Sequence, residues 1–320
     1  MNALEQLKEM TTVVADTGDI NAIARYKPQD ATTNPSLILK AVNDPRYAHL
    51  VDEAVSYGRQ THPASDDQVA RALEKVSINF GTEILKIIPG RVSTEVDARL
   101  SYNTTAMYNQ ALRLIDLYDK AGIGRDRVLI KLVSTLEGIH AAQFLREKSI
   151  NSNMTLVFNY HQAIRCAQEG VQLVSPFVGR ITDWHKKDRG VLSIPVEDDP
   201  GVHSVRNIYT AFKKYGYQTE IMGASFRSVE QILALAGCDL LTISPNYLEE
   251  LSRLDIPVER KLKPDHSDLD EAARAEIAAD DFYELLGKDR MATEKLAEGI
   301  RLFSEDTIKL EEIIRKKLAE

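Results

Sequence analysis

The chain has 320 residues, of which 43% are hydrophobic and 28% charged, the balance of a soluble globular protein rather than a disordered or fibrous one. Its formal net charge of −8 excludes a general nucleic-acid binder, whose affinity would come from neutralising phosphates. No run approaches the roughly 20 consecutive apolar residues that cross a bilayer, and Met1 to Met10 has no signal-peptide core, so a cytoplasmic protein with no nucleic-acid or membrane partner is expected.

Short apolar runs rich in β-branched residues alternate with longer stretches of helical period, the pattern of βα units that build a parallel sheet. In chain order the runs are Thr12 to Ala15, Asp30 to Thr33, Ile84 to Ile88 or its competitor Arg91 to Glu95, Val128 to Leu132, Met154 to Phe158, Leu173 to Phe177, Thr219 to Met222, and Leu240 to Ile243. About eight such runs point to a closed (β/α)8 TIM barrel, which ordinarily takes roughly 250 residues plus insertions. Ala106 to Ala121 and Val229 to Ala236 carry apolar residues at spacings of three and four and end at Gly122 and Gly237, which predicts helices with glycine stops. Residues 257–281 are polar and charged and precede a long helical pattern, Ala292 to Leu318, expected to pack on the barrel. With no repeat and no Pro/Gly/Ser linker, residues 1–320 read as a single domain.

The run Val128 to Val133 predicts a strand shut off from water on both faces, yet it contains Lys131. An unpartnered ammonium there costs several kcal/mol or more, so Lys131 must be paired or neutral. A neutral buried amine attacks carbonyls to form Schiff bases. In barrels the chemistry sits at the C-terminal ends of the strands, and polar residues close several of these runs. Asp16 is either a turn cap in Asp16-Thr17-Gly18-Asp19 or a site carboxylate. Asn34, before Pro35, is a turn residue or a ligand. In Val92 to Asp97 one carboxylate, Glu95, can point inward while Asp97 pairs with Arg99 on the surface. Asn153 and Thr155 flank Met154 and so share a face. Ser175 fits close packing as well as function. Arg180, placed at the end of a loop, and Ser225 and Arg227 before a helix can clamp a phosphate dianion or form surface salt bridges.

Other residues read as structural. The histidines, including His140, His161 and His203, show neither H-E-x-x-H nor H-x-H spacing, so surface or packing roles are preferred to zinc ligation. Trp184 and Tyr209 read as packing. Cys166 and Cys238 form no C-x-x-C pair, so no disulfide framework or thiol metal site is indicated. No G-x-G-x-x-G or P-loop occurs, and no cofactor is expected.

Six segments closely resemble the class I transaldolases of the pentose phosphate pathway, in the bacterial-type subfamily. They are Thr11 to Asp19, Ala31 to Leu37, Val92 to Asp97, Ile130-Lys131-Leu132, Ser175 to Arg180, and Gly223 to Arg227. The resemblance spans nearly the whole chain in family order. It implies a homodimeric, metal-independent transferase that moves a dihydroxyacetone unit from sedoheptulose 7-phosphate to glyceraldehyde 3-phosphate. Lys131 would carry the Schiff base, Asp16 would take the C4 hydroxyl proton, and Glu95 would shuttle protons through a water held by Thr155. Asn34, Asn153 and Ser175 would hold dihydroxyacetone hydroxyls, and Arg180, Ser225 and Arg227 the phosphate. Phe177 stands where related aldolases carry a tyrosine, which favours transfer over an aldolase using the same Schiff base. A pyridoxal-phosphate barrel and a silent sugar-phosphate-binding barrel are the other readings.

Overall fold

The computed structural model describes residues 1–61, 65–264 and 276–320. Eight strands, β1 (Thr12–Asp16), β2 (Asp30–Thr32), β3 (Val92–Glu95), β4 (Val128–Val133), β5 (Ser152–Val157), β6 (Leu173–Pro176), β7 (Glu220–Gly223) and β8 (Leu240–Ile243), pair in parallel in sequence order, and β8 closes onto β1. All six residues of β4 and all six of β5 are buried, because helices cover the outer face and side chains fill the inner one. The eight-stranded expectation holds, with boundaries shifted by one or two residues.

The third strand is Val92–Glu95, not Ile84 to Ile88. The latter run closes the helix Ser65–Leu85 and the turn after it, where Ile87 and Ile88 donate back to the Ile84 carbonyl. The helix expected over 106–121 spans Thr104–Lys120; Asn103 caps it by accepting from Ala106 N, and Gly122 ends it at φ 77°. The Val229–Leu233 helix is shorter than expected, with Gly237 at φ 98° beyond it. The C-terminal helix spans Arg290–Ala319. Of the polar stretch 257–281, residues 265–275 lie outside the described residues.

The barrel interior is built in layers by the period-two alternation of its strands. Val14, Leu129, Leu173, Met222 and Leu240 form one buried apolar layer, each worth about 1.5–3 kcal/mol of burial. Two residues further along the chain from each of these stand Asp16, Lys131, Ser175, Ala224 (just past the end of β7) and Thr242, and all five line one cavity. The apolar layer is therefore the floor on which a polar layer sits.

The C-terminal helix does more than pack on the barrel wall. It is tied across the C-terminal end of the barrel by a hydrogen bond from Ser36 to Asp306 and by an Arg99–Glu311 ion pair of 2.6 Å. No helix among the described residues is long and apolar enough to cross a membrane. Cys166 and Cys238 are both free and buried, and burial pushes each thiol up to about 12.

Candidate active site

Strand register sets the centre of the site. Glu95 pairs in register with Lys131, and Lys131 with Asn153, so three neighbouring strands present their side chains to the same interior face. Lys131 is only 5% exposed. Its Nζ lies 3.0 Å from Glu95 Oε2 and donates to the Thr33 carbonyl at 3.2 Å. The pairing required of a buried lysine is thus present. Among the described residues, Glu95 Oε2 meets the Lys131 ammonium, and Oε1 has no hydrogen-bond partner.

Asp16 ends β1 and faces the same cavity. Its Oδ1 accepts from Thr32 Oγ1 at 3.1 Å, and Thr32 in turn contacts Thr242 Oγ1 at 2.9 Å. The capping role belongs instead to Asp19, which accepts from Asn21 N and Ala22 N. Burial raises the pKa of Asp16 above the usual carboxylate value, opposed by Lys131, the Thr32 hydrogen bond and Arg180. Burial likewise raises Glu95, opposed chiefly by Lys131. Desolvation disfavours the charged carboxylate, so each has a stronger hold on a proton than in water.

Asn153 and Ser175 form one polar chain that starts at the cavity wall: Ser175 Oγ donates to Asn153 Oδ1 at 2.6 Å, and Asn153 Nδ2 donates to Ser93 Oγ at 3.0 Å. Thr155 Oγ1 is buried without a hydrogen-bond partner among the described residues. Beside it the β5–β6 register shifts and Leu156 adopts φ 55°, a conformation that costs a leucine about 1–2 kcal/mol. Asn34 caps the Pro35–Val42 helix by accepting from Leu37 N and also lines the cavity.

The three residues considered for a phosphate meet at one side. Arg180 lies in the first turn of the Val178–Arg189 helix rather than in a loop. Val178 N and Gly179 N donate to the Ala224 and Ser225 carbonyls, which fastens this helix to the end of β7. A Cβ at Gly179 would lie 2.2 Å from the Ser225 carbonyl oxygen and 2.6 Å from Arg227 Cγ, so glycine is required for that approach. Ser225 has φ 63°, a strained conformation of the kind that collects at ligand clamps. Arg227 pairs with Asp183 at 2.9 Å, as its salt-bridge alternative anticipated. Arg180 Nη1, by contrast, is buried without a hydrogen-bond partner among the described residues.

The resulting cavity, about 70 Å³, is lined by Asp16, Asn34, Lys131, Thr155, Ser175, Phe177, Arg180 and Ser225 from the expected set. Glu95 faces a smaller neighbouring cavity of about 40 Å³ that it shares with Asn34. Asn153 and Arg227 support the lining without forming it. Thr32, Thr242 and Phe303 also line the cavity and were not anticipated. The two threonines carry a signal, since each occupies an inward position at a strand end. Phe303 carries none, because a long-range helix contact brings it in. Trp184 is tied at the surface, donating to Glu294 Oε2 at 2.7 Å, while Tyr209 is buried.

A buried lysine paired with a carboxylate, a second carboxylate of raised pKa across the cavity, and an arginine with an unused donor suit imine chemistry on a polyhydroxylated anion. Comparison with known proteins agrees. The family model described as Transaldolase/Fructose-6-phosphate aldolase matches residues 13–314. The chain is 52% identical over 318 residues to Transaldolase A of Escherichia coli (strain K12), covering 99% of this chain and all of that protein. It is 54% identical over 322 residues to Transaldolase of Bos taurus, covering 99% of this chain and 94% of that one. A barrel built around a buried strand lysine, matched over almost its whole length, therefore belongs to the transaldolase/fructose-6-phosphate aldolase family.

Proposed function

We propose that the chain is a transaldolase, transferring a dihydroxyacetone unit from sedoheptulose 7-phosphate to glyceraldehyde 3-phosphate through a Schiff base on Lys131. The carrying observation is the buried Lys131–Glu95 contact of 3.0 Å. An amine must be neutral to attack, and a carboxylate of raised pKa in direct contact is placed to accept its proton. Attack on the ketose C2 carbonyl gives a carbinolamine. Glu95 then returns a proton to the departing hydroxyl, through a water that Glu95 Oε1 and Thr155 Oγ1, neither with a hydrogen-bond partner among the described residues, are suited to hold.

Asp16 acts on the next bond. It takes the C4 hydroxyl proton, the C3–C4 bond breaks, and the electron pair moves into the iminium to leave an enamine. The aldose phosphate departs. An incoming aldehyde reverses these steps, with Asp16 returning the proton to the new C4 oxygen. The iminium is the electron sink for both directions. Asn34, Asn153 and Ser175 are assigned to the dihydroxyacetone hydroxyls, and Arg180, Ser225 and Arg227 to the phosphate, where guanidinium donors match phosphate oxygens.

A coupled assay tests this reading: dihydroxyacetone transfer from fructose 6-phosphate to erythrose 4-phosphate is expected, and purified protein inactive in both directions would overturn it. A cytoplasmic homodimer belongs to the same reading, and its oligomeric state is measurable by light scattering.

Phe177 bears on transfer against simple cleavage. Its ring lies against Phe158, with centroids 5.6 Å apart, and lines the cavity without a polar group. In Phe177→Tyr a hydroxyl placed there would deliver a proton to the enamine carbon. Release of free dihydroxyacetone from fructose 6-phosphate without acceptor is expected to rise about tenfold to a hundredfold. Release unchanged from the native rate would rule this out.

A further inference from the structure

We propose that Phe303, on the C-terminal helix, is a positioning residue that holds Arg180 for the substrate phosphate and so sets the preference for phosphorylated over unphosphorylated substrates. The Arg180 guanidinium carbon lies 5.0 Å from the Phe177 ring centroid and 5.5 Å from that of Phe303. Two aromatic rings therefore attend one buried cation, each within the distance at which the ring quadrupole attracts it. Phe303 is 2% exposed and lines the site cavity.

Arg180 needs such support. It has been taken from water, its Nη1 is buried with no hydrogen-bond partner among the described residues, and burial, with the positive charge of Arg227, lowers its pKa against the opposing pull of Glu298, Glu95 and Asp16. The rings attract the cation without using its N–H donors, which leaves Nη1 available to an anion. A carboxylate in the same place would consume those donors and cancel the charge.

The helix is built to keep Phe303 where it is. One turn before it, a Cβ at Gly299 would lie 2.7 Å from Leu156 Cδ2, so glycine lets the helix settle directly onto the strained end of β5. After Phe303, Asp306 accepts from Ser36, and Glu311 pairs with Arg99 at 2.6 Å. Phe303 is thereby fixed from both directions along the helix. Ordinary packing does not require its ring to stand over a cation and border the cavity.

The choice of substrates rests on the transaldolase reading; the Arg180 geometry does not. The test compares acceptors at one fixed fructose 6-phosphate concentration, so that the donor half-reaction is common to both. In Phe303→Leu the ratio of kcat/KM for erythrose 4-phosphate to that for erythrose is expected to fall about tenfold, through KM for the phosphorylated aldehyde. Phe303→Tyr, which keeps a ring, is expected to retain most of the ratio, and Phe303→Met replaces the leucine variant should that fail to fold. Inorganic phosphate binding, measured by calorimetry, is expected to weaken by a similar factor in the ringless variants whether or not the protein catalyses transfer. Equal loss for both aldehydes, or unchanged phosphate affinity, would overturn the assignment. Failure of the transaldolase reading would appear instead as native protein that transfers to neither aldehyde.

Discussion

Lys131→Met is expected to lower transfer at least about ten-thousandfold, since it removes the atom on which every later step is built. Arginine is no substitute, because a guanidinium does not deprotonate in proteins. Borohydride in the presence of fructose 6-phosphate gives the direct measurement: native protein is expected to gain a three-carbon adduct by mass, located on Lys131, and Lys131→Met none. Trapping that persists in the variant would place the chemistry elsewhere. The substitution also has a consequence for stability. Lys131 is the main influence opposing the raised pKa of Glu95, so without it that pKa rises further. The folded state then retains a proton that the unfolded chain releases above about pH 4.3. Stability of the variant should therefore go on declining, as pH rises from that value, to a higher pH than in the native protein, as thermal melts at several pH values would show.

Much of this site was legible because a barrel converts sequence period into depth. Leu129 and Lys131, Leu173 and Ser175, and Val14 and Asp16 are each two residues apart on one strand, and each pair supplies one floor residue and one cavity residue. A polar residue at the inward position of an apolar run thus marks the site directly. What was not legible depends on contacts distant in sequence. Ile84 to Ile88 resembles a strand in composition, but it ends a helix, and short apolar runs do not distinguish the two by period. The helix bearing Arg180 starts earlier than Pro176-Phe177 suggests because carbonyls of the β7 loop take up its first N–H groups. Phe303 lies on a helix whose apolar pattern says only that it packs. Its arrival over Arg180 is decided by Gly299 and Leu156, residues nearly half the chain apart.

Asp16→Asn is expected to make the protein more stable and much less active. The carboxylate is buried, and among the described residues Thr32 alone donates a hydrogen bond to it; its raised pKa means that the folded environment penalises the charged form overall. A group whose folded pKa lies above its unfolded value leaves more protons on the folded state between the two. Its penalty therefore grows as pH rises above about 3.9 and becomes constant beyond the folded pKa. Asparagine keeps the shape and can still accept from Thr32, but it carries no charge at any pH. The variant should thus melt a few degrees above the native protein at pH 8, on the order of 1 kcal/mol, with the difference vanishing near pH 3. A gap of equal size at both pH values would show that charge burial is not its source. Catalysis should move the other way. Loss of the base for C–C cleavage is expected to lower turnover about a hundredfold to ten-thousandfold, while Lys131 and Glu95 still form the imine. Borohydride should then trap intact fructose 6-phosphate on Lys131, in place of the three-carbon fragment trapped by native protein. A three-carbon adduct formed at the native rate would mean that some group other than Asp16 takes the C4 proton.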